Sequence, residues 1–238
     1  RIKRRGLNCE ICDIRSLKWN KKECVTPSNM RVDLIYRRAV TSDIIAHFSE
    51  IGDFIEAYKN NAFCLIGDFR TQIIHNKILY KILHLQEVQE LFTEDEKRFV
   101  KAHIPYTVSL NTELFRKNEK LMDSVFHSKN SWIIKPEDSY GSKGVHAGIE
   151  CDNEQWIKYV KDNIDNNYIL QEFYEPYELP NITWNEEEVF EWKKTSNLTG
   201  LYVYSGELKG IYSRISYDKI ISTQYNEMYL KPLIVAVG

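Results

Sequence analysis

Ser131-Trp-Ile-Ile-Lys-Pro-Glu-Asp-Ser-Tyr-Gly-Ser-Lys-Gly-Val-His-Ala-Gly148 is the stretch on which the reading of this chain turns. Trp132 to Ile134 is a short apolar run that ends on Lys135. A polar loop follows with two glycines, Gly141 and Gly144, and Val145 starts a second strand-like run. The pattern predicts strand, loop, strand, with Lys135 at the end of the first strand and Lys143 inside the loop. Glycine takes positive φ at little steric cost and lets backbone N–H groups come close to an anion. Lysines beside it supply point charges for phosphate oxygens. The expectation is a lid over a polyphosphate, although an ordinary hairpin with a solvated lysine has the same local sequence. A Walker loop is excluded, because no Gly-Lys-Ser/Thr opens a helix. A dinucleotide fingerprint is excluded too, because a strand rather than a helix follows the glycines.

Working outward, Asp152 to Asn163 reads as a helix, with Asp152 as N-cap and Gln155 three residues on, a variant of the capping box. Trp156, Tyr159 and Val160 give that helix one apolar face. Tyr168-Ile-Leu-Gln-Glu-Phe173 then reads as a strand whose end carries Gln171 and Glu172. The order is lysine strand, glycine loop, strand, helix, and a strand ending Gln-Glu. It resembles the nucleotide-binding half of the ATP-grasp fold. Trp132-Ile-Ile-Lys-Pro136, Ile169-Leu-Gln-Glu172 and Gly210-Ile-Tyr-Ser-Arg-Ile-Ser216 narrow the resemblance to the circularly permuted ATP-grasp proteins related to glutathionylspermidine synthase. Val32-Asp-Leu-Ile-Tyr-Arg-Arg38, Phe69-Arg70 with His75-Asn-Lys77, and Leu91-Phe-Thr-Glu-Asp-Glu96 with His103-Ile-Pro105 resemble the same group upstream. It is the joint order of these landmarks, from about Arg4 onward, that carries the likeness.

Composition bounds the remaining classes. At 238 residues, 43% hydrophobic and 28% charged, the chain suits one large globular domain or two small ones. A formal net charge of -2 gives no electrostatic reason to expect nucleic acid as a partner. No apolar run approaches the roughly 20 residues that cross a bilayer, so no membrane partner is expected. Arg1-Ile-Lys-Arg-Arg5 lacks a signal peptide's apolar stretch and reads as a helix end or solvated face. A cytoplasmic location is the expectation. Cys9-Glu-Ile-Cys12 has redox or zinc spacing, but Cys9 to Ile14 reads as a strand that would point the two thiols to opposite faces. Unremarkable thiols are expected.

The fold class expected is α+β. Cys9 to Ile14 and Val32 to Tyr36 read as strands that, with a helix at the N-terminus, suggest part of an α/β layer. Ser42 to Lys59 reads as a helix with an apolar stripe, and Ala62 to Ile66 as a short buried strand. Lys77 to Leu85 looks helical, Thr93-x-x-Glu96 is a capping box for the next helix, and Pro105 follows it. We place the domain boundary there, giving 1–105 as a partial α/β and helical region and 106–238 as the nucleotide-binding region with an antiparallel sheet. Asn111 to Phe126 reads as one helix. Between Tyr177 and Asn197 a strand is expected near Val189 to Lys193, after an acidic run Glu186–Glu188 read as a solvated loop. Leu201 to Tyr204, the Ser205-Gly206 turn and Leu208 to Ile215 make a hairpin.

The resemblance implies roles. Lys135 would hold the α and β phosphates of ATP, and Gly141, Ser142, Lys143 and Gly144 would cover them. Gln171 and Glu172 would recognise the adenine and ribose side, and Lys77 would be a second nucleotide-contacting lysine. Arg214 would be catalytic, stabilising charge on the transferred phosphoryl group with its planar fork. One of Arg37 and Arg38, which point to opposite faces of a strand, could position an acidic substrate. The implied activity is an ATP-dependent carboxylate–amine ligase working through an acyl phosphate, with ATP and Mg2+ required and a small-molecule or peptide carboxylate and an amine as substrates. One departure stands out. The family's magnesium ligands, an Asp and a strand-borne Glu-x-Asn, would lie upstream of the residues seen here, and no such Glu-x-Asn occurs in the first hundred residues. Metal ligands are therefore unassigned, and the chain is expected to be a fragment or one part of a larger enzyme. Two alternatives follow: a non-catalytic ATP-binding module on the same fold, and an interaction protein with an empty pocket.

Overall fold

The computed structural model describes residues 6–184, 190–221 and 226–230. The basic start Arg1–Arg5 and the acidic run Glu186–Glu188 lie outside them. Contacts divide the chain into Arg1–His75 and Asn76–Gly238. That division falls upstream of the boundary expected at Pro105.

In the first unit, β1 (Lys18–Trp19) and β2 (Cys24–Val25) pair antiparallel, and β3 (Leu34–Tyr36) and β4 (Cys64–Ile66) pair parallel. The connection between the parallel strands carries α1 (Thr41–Ala46) and α2 (Gly52–Lys59), and α3 (Gln72–His75) follows. The single helix expected over 42–59 is thus two, separated by a 3-10 turn at Phe48–Glu50. A straight helix would have to bury the whole stripe. The break lets Ile44, Ile51, Phe54 and Ile55 enter the core while Ile45 and Phe48 stay exposed. Phe54 is fully buried and stacks on Phe63 at 5.6 Å.

The strand expected at Cys9–Ile14 is absent. This stretch is irregular and runs into a 3-10 turn at Ile14–Ser16, because the Asp13 carboxylate accepts the Arg15 N–H at 2.9 Å and bends the chain. All five cysteines are free thiols. Arg37 donates to the carbonyls of Gly67 and Ala39, both at 2.6 Å, and lies over the Phe69 ring. It ties together the ends of β3 and β4. Arg38 is exposed.

The second unit begins with α4 (Ile78–Ile82), α5 (Gln86–Gln89) and α6 (Glu94–His103). Thr93 and Glu96 make both bonds of the expected capping box. The helix expected over 111–126 is again two, α7 (Thr112–Lys117) and α8 (Glu119–His127). The Asn118 side chain accepts from Leu121 N–H and starts a fresh helix in the middle of the run. After α8 come β6 (Trp132–Pro136), β7 (His146–Ala147), α9 (Asn153–Asp162) and β8 (Tyr168–Glu172). With β5 (Thr107–Ser109) they form an antiparallel sheet of order β5-β8-β6-β7. The expected box at the start of α9 is present in both halves. A second antiparallel sheet has order β12-β11-β10-β9, built from β9 (Glu178–Trp184), β10 (Phe190–Tyr204), β11 (Glu207–Ser216) and β12 (Met228–Leu230). The expected hairpin is β10–β11, with the turn at Ser205-Gly206.

Alternation along β6 and β8 sorts their side chains between two faces. Trp132, Ile134 and Leu170 pack with Leu121 and Val125 of α8 and Trp156 and Val160 of α9. Trp156 is fully buried, and its indole N–H donates to the Val125 carbonyl at 2.8 Å. Ile133, Lys135, Ile169 and Gln171 therefore point to the opposite face. Cross-strand pairing places Ile133 against Gln171 and Lys135 against Ile169.

Candidate functional site

On that opposite face lies a cavity of about 360 Å³. Lys77, Lys135 and Lys143 line it together with the loop residues Ser139, Gly141 and Ser142. Ile133, Val145, Phe173, Leu198, Ile220 and Ile221 supply apolar wall. One set of groups is cationic and the other is apolar and aromatic.

Lys135 is the most constrained of these side chains. Its ammonium donates to Gln171 Oε1 at 2.7 Å, and Gln171 Nε2 donates to Thr107 Oγ1 at 2.8 Å. Thr107 Oγ1 donates in turn to the Pro105 carbonyl at 2.9 Å. Gln171 and Thr107 are buried, so each polar group in this row has a partner and the amide orientation is set by it. Burial, reinforced by repulsion from Lys77, pulls the Lys135 pKa down to about 8. Lys77 is lowered as well, by burial, with Asp138 acting in the opposite direction. Its ammonium donates to the Ser139 carbonyl at 2.7 Å, which brings the N-cap of α4 to the loop after β6. Two lysines that both lose hydration and repel one another make a place where an anion is stabilised.

The glycine loop is held in a turn in which Gly141, Ser142 and Gly144 all have positive φ. Gly144 is required twice over: its φ is +69°, and a Cβ there would meet Tyr168 Oη at 2.6 Å. The close approach seats the loop against β8. Lys143 lies with its ammonium 5.2 Å from the Tyr140 ring centroid.

Lys77, Lys135, Gly141, Ser142, Lys143 and Gln171 are thus brought to this cavity or to its wall, and Gly144 fixes the loop. Two expected residues do not line it. Glu172 follows the alternation to the other face. Its Oε2 accepts from Tyr106 N–H and from Tyr174 Oη, both at 3.2 Å, and it lines a separate cleft with His84 and Lys101. Arg214 does not line the cavity but stands beside it: it pairs directly with Leu198, which does line it, and so shares that face of the sheet. Its Nη1 donates to Glu227 Oε2 at 2.9 Å. Glu227 itself is almost fully buried in this pair.

Sequence reading did not foresee Thr107, Phe173, Leu198 or the Lys219–Ile221 segment in these roles. Lys219 bonds Glu178 at 2.8 Å and Ile220 N–H donates to Glu150 at 2.8 Å, which secures this segment at the cavity. The one signal available was the polar Gln171 within an otherwise apolar strand run.

Among the described residues no group of three His, Cys, Asp or Glu side chains is placed to hold a metal ion, and no helix is long and apolar enough to cross a membrane. No model of a known protein family matches the chain, and no curated protein matches it either.

Proposed function

We propose that the chain binds ATP in the Lys135 cavity and is the nucleotide-binding part of a carboxylate–amine ligase of the circularly permuted ATP-grasp type. The observation that carries this reading is the division of one cavity between two partly desolvated lysines under a glycine loop and an apolar wall. A polyphosphate suits the first and a flat base the second. In the ligase reaction a carboxylate takes the terminal phosphoryl group from ATP, and an amine then displaces phosphate from the acyl phosphate. This chain's part in that reaction is positioning and charge neutralisation, which dominate phosphoryl transfer. Lys135, held by Gln171, and Lys77, held by the Ser139 carbonyl, would meet phosphate oxygens. Among the described residues no group of three His, Cys, Asp or Glu side chains is placed to hold a metal ion, and magnesium enters here only as the counter-ion of Mg-ATP. A cytoplasmic location belongs to the same proposal, since the substrate is ATP.

A second reading, ATP binding without turnover, is favoured by Arg214, the expected catalytic residue, being engaged by the buried Glu227 beside the cavity rather than lining it. Calorimetric titration with Mg-ATP tests both. Binding by the wild type, weakened tenfold or more (about 1.4 kcal/mol) in Lys135→Ala, is the expected result. No binding by the wild type would refute the nucleotide site. ADP release that depends on an added carboxylate then separates the ligase from the silent module.

A further inference from the structure

A second cleft lies on the other face of β8, at Glu172. It has a volume of about 400 Å³ and is lined by residues from α4's C-terminal side, α5, α6, the start of β5 and the end of β8. Its acceptors and donors are of opposite kinds. His84 Nε2 donates to the Pro105 carbonyl at 3.1 Å, which leaves Nδ1 of the neutral ring as an acceptor. Gln89 uses its amide N–H on the Leu83 carbonyl, which leaves its oxygen. Both donors to the Glu172 carboxylate go to Oε2, which leaves Oε1. Three acceptors with no donor of their own among the described residues thus line one cleft, beside the Tyr106 ring that His84 meets edge-on.

The same cleft is lined by two cations of α6. Lys97, Val100 and Lys101 fall at i, i+3 and i+4 and so share a helix face. Lys97 is already paired with Glu94 at 2.7 Å, whereas Lys101 makes no ion pair among the described residues. A simple anion would meet Lys101 but be repelled by Glu172. A simple cation would meet Glu172 but be repelled by both lysines. An ammonium brings three N–H donors, and a carboxylate takes a lysine's charge.

We propose that this cleft binds a small amino carboxylate. Its ammonium would go to Glu172, His84 and Gln89, and its carboxylate to Lys101. The site is separate from the Lys135 cavity, because β8 presents Gln171 and Glu172 to opposite faces, and the proposal does not depend on the nucleotide reading. The row of hydrogen bonds from Lys135 through Gln171 and Thr107 ends at the same Pro105 carbonyl that His84 uses, so the two sites share one buttress.

The test is a chemical-shift titration of the whole chain with glycine and L-glutamate. Putrescine and succinate are run in parallel as the cation-only and anion-only probes. The expected result is saturable shifts around Tyr106 and His84 with an amino acid. They should weaken about tenfold or more in Glu172→Gln and in Lys101→Met, and persist in Lys135→Ala. Lys101 is exposed and Glu172 half-buried, and the folding of both variants is checked by the unperturbed remainder of the spectrum. Equal binding of succinate that survives Glu172→Gln, equal binding of putrescine that survives Lys101→Met, or no saturation by either amino acid up to about 10 mM would each overturn the proposal.

Discussion

Lys135 is expected to cost the folded chain stability at neutral pH, and replacing it by methionine should show how much. The Lys135 pKa falls from 10.5 to about 8. At about 1.4 kcal/mol per pKa unit, keeping the ammonium charged costs about 3 kcal/mol near pH 7 relative to the unfolded chain. The sign follows from proton counting. Between about pH 8 and 10.5 the unfolded chain binds more protons at this lysine than the folded one, so stability rises with pH across that window. Of the penalty, about 2.5 kcal/mol has gone by pH 10. Lys135→Met keeps most of the side-chain volume but leaves Gln171 Oε1, in a buried residue, without its donor, at a cost of about 1–2 kcal/mol. The variant should therefore be about 1–2 kcal/mol more stable than the wild type near pH 7 and slightly less stable by pH 10. Urea denaturation of both proteins across that range gives the difference directly, and the subtraction removes the other lysines. A difference that stays constant with pH would mean that Lys135 titrates as a solvated lysine. The cationic hole on which the phosphate reading rests would then be gone.

Two further outcomes follow from single contacts. Gly144→Ala forces positive φ on a residue with a Cβ and drives that Cβ into Tyr168 Oη, so it should lower stability by about 2 kcal/mol. Tyr168→Phe in the same chain should restore part of the loss, measured as melting temperature, because it removes the collision but not the φ penalty. Thr107→Val strips Gln171 Nε2 of its buried acceptor, with an expected cost of about 1–3 kcal/mol by urea denaturation. Calorimetry on the same variant should also show weakened Mg-ATP binding, since Gln171 then loses its support against Lys135.

The parts of the fold that could be read from sequence are those written in short-range chemistry. Thr93 with Glu96 and Asp152 with Gln155 mark helix starts by bonds that span one turn, and both boxes form as read. The glycine loop was legible for the same reason, because positive φ at Gly141 and Gly144 is a local demand. Long runs were read less well. Over 42–59 and 111–126 the apolar pattern fits one helix, yet each run breaks where burial of one side chain competes with another or where Asn118 caps a new start. The strand assigned to Cys9–Ile14 does not form, and at its end the Asp13 carboxylate turns the backbone into a 3-10 turn.

The site divides along the same line. Adjacent residues in a strand cannot both face one cavity. Gln171 and Glu172 were therefore never able to serve the same ligand once β8 paired with β6 over its whole length. Register decides which of the two meets Lys135: the Ile133–Gln171 and Lys135–Ile169 pairs put Gln171 on the lysine's face. A shift of one residue would exchange them and place a carboxylate beside Lys135. That exchange would change the chemistry, because a carboxylate would neutralise the lysine and raise its pKa, whereas the Gln171 amide orients the ammonium and leaves its charge for an incoming anion. The apolar set Trp132, Ile134 and Leu170 fixes the register by filling the face against α8 and α9, and one buried tryptophan, Trp156, closes that core. The packing on one side of this sheet is thus what keeps a cation available on the other.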